Sequence, residues 1–101
     1  MSVHEITDNN FQNEVLEEKK TVLIDFFADW CYPCKMMTPV VEEVSKEESI
    51  KVGKVNIDEN QELAEKYGVE SIPTIIVFKN GKEYKRQVGV TDRESLLNLL
   101  N

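Results

Sequence analysis

The sequence is poor in the residues that cross-link a chain or break it up. It has two cysteines, one histidine, one tryptophan, three prolines and four glycines in 101 residues. Two thiols are too few for the disulfide framework of a small secreted domain, and 101 residues suffice for a hydrophobic core without cross-links. Two thiols and a distant His4 also fall short of the four ligands that a structural zinc or iron site takes. No apolar run approaches the roughly 20 residues that span a bilayer. Basic residues are outnumbered 19 to 12, a formal charge of −7, which argues against nucleic acid or a membrane surface as partner. Low-complexity tracts, internal repeats and Gly/Ser/Pro linkers are missing too, so residues 1–101 read as a single domain. The opening residues Met1-Ser2-Val3-His4-Glu5 lack the basic start and apolar stretch of a signal peptide, and a reducing, cytoplasmic setting is expected.

What is present alternates between two periodicities. Residues 3–6 read as a short edge strand. A cap among Thr7, Asp8, Asn9 and Asn10 opens a helix with Phe11, Val15 and Leu16 inward. Residues 21–28 carry the nearly continuous apolar run of a strand covered on both faces. A second helix, to about residue 47, sets Met37, Val40, Val41 and Val44 on one stripe, with Pro39 expected to kink it. Residues 51–57 form a strand, and residues 60–67 a helix closed by Gly68. Strands over 74–78 and 83–88 meet through Asn80-Gly81, a hairpin pair. Thr91 and Glu94 resemble a capping box before a last helix with Leu96, Leu97 and Leu100 inward. The acidic residues at 17, 18, 42, 43, 47 and 48 read as solvated helix faces. The order β-α-β-α-β-α-β-β-α predicts an α/β fold: a mixed five-stranded sheet flanked by four helices. In such sheets chemistry gathers at the carboxyl ends of strands, and Cys31 follows such an end.

Both cysteines lie in Trp30-Cys31-Tyr32-Pro33-Cys34, between the strand and the amphipathic helix. With Cys31 as cap and Cys34 as the third helical residue, both side chains share one face of the first turn and can close a small disulfide ring. The uncompensated N–H groups and the positive end of the helix dipole favour a thiolate at Cys31, which makes it a nucleophile held at the exposed lip of the helix. Cys34, deeper in the turn, stays protonated. Pro33 fits this register because its fixed φ and missing N–H suit the first turn. A three-residue span constrains almost no unfolded-state loop entropy, so a purely structural bridge is disfavoured. Asp25 shares a strand face with Leu23 and Phe27 by alternation. Burial there raises its pKa. Lys54 alternates away from Val55 and Ile57 and, taken alone, is a surface lysine. Trp30 beside the nucleophile reads as a half-exposed contact surface.

Five blocks resemble the thioredoxin family in order and spacing over the whole chain: residues 24–35, Lys54-Val55-Asn56-Ile57-Asp58, Tyr67-Gly68-Val69, Ile72-Pro73-Thr74 and Phe78-Lys79-Asn80-Gly81, followed by Gly89. Two positions depart from the family pattern: Tyr32 where Gly is usual, and Phe27 where Trp is common. The resemblance implies the thioredoxin fold and a protein-disulfide reductase in which Cys31 attacks, Cys34 resolves, Asp25 accepts the proton of Cys34 and Lys54 tunes Asp25. It further implies a cis bond at Pro73 facing the cysteines, and a substrate surface of Trp30, Tyr32, Pro33, Ile72, Pro73, Val88, Gly89 and Val90. No Gly-rich phosphate loop is present, so no bound cofactor is expected, and electrons come from another protein. By resemblance that donor is a flavin-containing, NADPH-dependent thioredoxin reductase, with ferredoxin-linked and other donors left open, and the acceptors are disulfide-containing client proteins; a monomer is expected. A thiol oxidase or isomerase with its potential raised by Tyr32, and a binding module whose cysteines are incidental, are the alternative readings.

Overall fold

The structure, a computed structural model, describes residues 2–101. Strands β1 (Val3–Glu5), β2 (Thr21–Phe27), β3 (Ile50–Asn56), β4 (Thr74–Lys79) and β5 (Lys82–Val88) form one sheet in the order β1-β3-β2-β4-β5. β1, β3 and β2 run parallel, and β4 and β5 are antiparallel additions. The helices are a one-turn π-helix (Gln12–Leu16), α1 (Tyr32–Val44), α2 (Gln61–Lys66) and α3 (Arg93–Leu99). This is the mixed five-stranded sheet with four helices that the periodicities predict.

β2 is central, and Val22 through Phe26 are buried, as an apolar run covered on both faces requires. Alternation splits its side chains. Leu23 joins Met37, Val41, Val44, Val52, Ile75, Val77 and Leu96 under α1 and α3. Val22, Ile24 and Phe26 face the π-helix and α2, where Phe11, Tyr67 and Phe78 pack ring to ring at centroid separations of 5.2–5.6 Å. Leu97 and Leu100 are half-buried beside Leu96. Among the described residues, no helix is long and apolar enough to cross a membrane.

Local signals mostly hold, with instructive exceptions. Thr7 and Asn10 bond each other's amides, so the expected cap region closes as a turn, and the helix that follows is a π-turn in which the Glu17 amide donates to the Gln12 carbonyl. α2 ends with Gly68 donating to Glu65 and Val69 to Ala64, the double bond pattern of a left-handed cap. Its first turn is capped from 55 residues away, since the Leu63 amide donates to Asp8 Oδ1. The cap of α3 is Asp92, which accepts from the Ser95 amide, and not Thr91. Asp carries a charged acceptor into the positive helix end, and it stands one residue closer to the turn. α1 runs unbroken through Pro39.

The β4–β5 hairpin turns at Asn80 (φ 54°) and Gly81 (φ 77°), both left-handed as this turn type demands. Gly81 is also a packing point, because a Cβ there would lie 2.8 Å from the Leu16 carbonyl oxygen. Gly81→Ala combines a disfavoured φ with that collision and is expected to lower stability by about 1–2 kcal/mol, read as a fall in urea midpoint at constant slope. An unchanged midpoint would show that the turn is not fixed by this contact.

Candidate functional site: a disulfide at a helix amino terminus

After Phe27 the chain leaves the sheet through Ala28, and the Cys31 amide returns to the Ala28 carbonyl at 3.2 Å. Cys31 is extended (φ −90°, ψ 106°) and forms the N-cap of α1, with Pro33 in the first turn. The Cys34 amide donates to Cys31 Sγ at 3.2 Å, so sulfur occupies the place a serine or aspartate oxygen takes at other helix starts. Cys31 and Cys34 are joined as a disulfide, with Cα atoms 5.3 Å apart. Facing the bond, the Ile72 carbonyl oxygen lies 3.8 Å from Cys31 Sγ, and the Ile72–Pro73 peptide is cis.

Around the sulfurs stands an exposed apolar rim. Trp30 and Tyr32 are 70% and 71% exposed, and Val88 and Val90 about half. The Trp30 indole N–H donates to Asp58 Oδ2 at 2.9 Å, which ties the ring to the turn after β3. The Gly89 amide donates to the Pro73 carbonyl at 2.8 Å, and the Thr91 amide meets the Met37 sulfur at 3.3 Å, so residues 89–91 are tied to both the proline loop and α1. Cys31 itself is only 4% exposed, against the expectation of an exposed lip. The sulfur is recessed because Ile72 closes over it from a loop 41 residues away, a contact that the spacing around the cysteines does not encode.

Asp25 lies behind the disulfide. It is 6% exposed, and its Oδ1 has no hydrogen-bond partner among the described residues. Burial pushes its pKa up from 3.8 to about 7, and the Lys54 ammonium opposes the rise. Lys54 is the direct register partner of Asp25 on β3. Asp25, Lys54 and Cys34 line one cavity of ≈ 170 Å³, together with Ala28 and Thr38. A cavity of that size admits water between the carboxyl and the thiol. A carboxyl with a pKa near neutrality therefore lines the same cavity as Cys34.

The structure thus brings Cys31, Cys34, Ile72 and Pro73 together, with Trp30, Tyr32, Val88, Gly89 and Val90 on the rim and Asp25 and Lys54 behind. Pro33 is exposed in the first turn of α1, and Pro73 is buried. Residue-by-residue reading passed over the parts that Asp58 and Met37 play here. Asp58 stands in a block noted for its resemblance, but nothing local to it signals a bond to an indole 28 residues away.

Comparison with known proteins agrees with this arrangement. The family model described as Thioredoxin matches residues 2–101. The chain is 48% identical over 101 residues to a thioredoxin of Rickettsia prowazekii (strain Madrid E), covering 98% of this chain and 96% of that protein. It is 59% identical over 81 residues to a thioredoxin of Chlamydia caviae, covering 79% of each. Among solved structures, a mutant thioredoxin from Halobacterium salinarum NRC-1 superposes with a TM-score of 0.90 at 35% identity, over 98% of this chain and 88% of that one.

The buried carboxyl has a consequence for stability. Between the ordinary aspartate pKa and about 7, the folded chain holds a proton at Asp25 that the unfolded chain has released, so stability falls as pH rises through that window. Asp25→Asn removes this loss. In urea titrations of the oxidised protein, the variant should gain up to about 4 kcal/mol over the parent on going from pH 4 to pH 8, each pH unit of the window contributing about 1.4 kcal/mol. A difference independent of pH would mean that Asp25 is not held out of water in solution.

Proposed function

The chain belongs to the thioredoxin family, whose members are thiol-disulfide oxidoreductases, and from that premise we propose that it reduces client protein disulfides with Cys31 as attacking and Cys34 as resolving thiol. The observation that carries this assignment is the Cys34 amide aimed at Cys31 Sγ, because the same donor that caps the helix stabilises the Cys31 thiolate once the bond is reduced.

In the first step the Cys31 thiolate attacks one sulfur of the client disulfide. A bond forms between Cys31 and that sulfur, and the other client sulfur leaves as thiolate and takes a proton from solvent. In the second step the Asp25 carboxylate takes the proton of Cys34 across the cavity they share, and the Cys34 thiolate attacks Cys31 Sγ. The client's second sulfur leaves, and the Cys31–Cys34 disulfide remains. Two electrons have passed to the client. Lys54 acts on the charge of Asp25. Trp30, Tyr32, Pro33, Val88, Gly89 and Val90 offer the surface on which a client segment lies, and Ile72 and Pro73 present backbone beside the sulfur. A separate protein, a flavin-containing NADPH-dependent thioredoxin reductase, returns the dithiol. Residues 1–101 act as one cytoplasmic, monomeric domain.

Insulin disulfide reduction tests the roles separately. Cys31→Ser should fall to background, and Cys34→Ser should accumulate a mixed disulfide with the client. Asp25→Asn should slow release from that intermediate by about tenfold or more above neutral pH while leaving its formation unchanged. Full activity in Cys31→Ser would remove Cys31 from the attacking role.

A further inference from the structure

Three side chains stand in one row across the parallel strands: Glu5 on β1 is the register partner of Lys54 on β3, and Lys54 that of Asp25 on β2. Register partners on parallel strands share a sheet face and lie one strand spacing apart, about 4.8 Å. Lys54 therefore has a carboxylate strand on each side. It also lines two clefts. The inner one holds Asp25, Cys34, Asp29, Lys35 and Glu42; the outer one holds Glu5, Asp29 and Glu59. Lys54 forms no ion pair among the described residues. Its ammonium rests 5.9 Å over the Phe27 ring, a residue lining both clefts.

We propose that Glu5 is a positioning residue for the thiol-disulfide reaction: from the edge strand its charge biases the unpaired Lys54 ammonium toward the outer cleft, away from the Asp25 carboxyl, and so keeps that carboxyl able to accept the Cys34 proton. This rests on the reading of Asp25 as proton acceptor. The physical choice facing Lys54 is unequal. Outward lies an exposed carboxylate, where the ammonium keeps its water. Inward lies a buried carboxyl that it can approach only by losing water. Of the charges facing this pair, Asp29 lines both clefts and favours neither, Glu42 and Lys35 on α1 oppose each other at the inner one, and Glu59 adds to Glu5 at the outer one. With Glu5 neutral, the ammonium turns inward, stabilises the Asp25 carboxylate and weakens it as a base.

The test follows the Asp25 carboxyl by carbon NMR in the oxidised protein and the pH profile of client release in single turnovers, for Glu5→Gln, Lys54→Met and the double variant. Glu5 is exposed, so the isosteric Gln leaves folding untouched. Glu5→Gln should lower the Asp25 midpoint by about half a pH unit, move the release profile down with it, and lose most of this effect in the Lys54→Met background. An unmoved midpoint, or a shift undiminished when Lys54 is gone, overturns the proposal even if Asp25→Asn still releases client slowly. A midpoint that moves while the release profile stays in place overturns the acceptor role of Asp25, and with it any part for Glu5 in the reaction.

Discussion

The amide of Cys34 points at the sulfur of Cys31, and the chemistry of the molecule depends on that one hydrogen bond. A helix start leaves backbone donors without partners, and most helices meet the need with a side-chain oxygen. Here the acceptor is sulfur, a weak acceptor when protonated and a strong one when anionic. Capping energy and thiolate stabilisation are therefore the same interaction. Pro33 sharpens it. A residue in the first turn without an N–H leaves the Cys34 amide as the donor within reach of the cap, so the backbone of Cys34 favours negative charge on Cys31 Sγ.

Behind this pair the fold buries a carboxyl. A carboxyl 6% exposed, with one oxygen lacking a protein partner, sits on the central strand among Leu23, Phe27 and the underside of α1. Buried polar atoms of this kind concentrate where a pKa must be moved. The sheet register accounts for how it is tolerated. Lys54 is beside it but not bonded to it, which moderates the rise in pKa without cancelling it. A bonded ion pair would have produced a permanent carboxylate, and an apolar neighbour a permanent acid. Neither would titrate near neutral pH.

The strands, the hairpin at Asn80-Gly81, the sulfur cap and the burial of Asp25 were legible in the sequence because each follows from a period or from a residue within four positions. Alternation alone puts Asp25 on the α1 face beside Leu23. What escaped depends on distant chain. The first turn of α2 is capped by Asp8, the Trp30 indole is held by Asp58, and Cys31 is recessed under Ile72. No local pattern encodes any of the three. The α3 cap failed for another reason. Thr91 and Asp92 are both capping residues, and Thr91-x-x-Glu94 fits the box; Asp92 prevails because its charged oxygen bonds the Ser95 amide directly, while the Thr91 amide is taken by the Met37 sulfur. The family resemblance had to supply the neighbourhood of Lys54, which alternation by itself reads as open surface.

A net charge of −7 bears on any thiolate formed from the reduced pair, since every carboxylate raises the energy of a thiolate. Range decides the matter. At physiological ionic strength, exposed charges fade beyond about 8 Å, so carboxylates on the surface remote from the cysteines act only weakly on Cys31. The Cys34 amide acts at 3.2 Å on a sulfur only 4% exposed, where screening by salt is least. The local dipole therefore outweighs the larger but diluted net charge. That charge still has a use. Trp30, Tyr32, Met36, Val88 and Val90 leave an apolar surface open around the sulfurs. Mutual repulsion between like-charged copies opposes the pairing of two such surfaces. The recess of Cys31 and the acidity of the rest of the chain thus serve one end: the sulfur answers to its own helix, and the surface around it stays available.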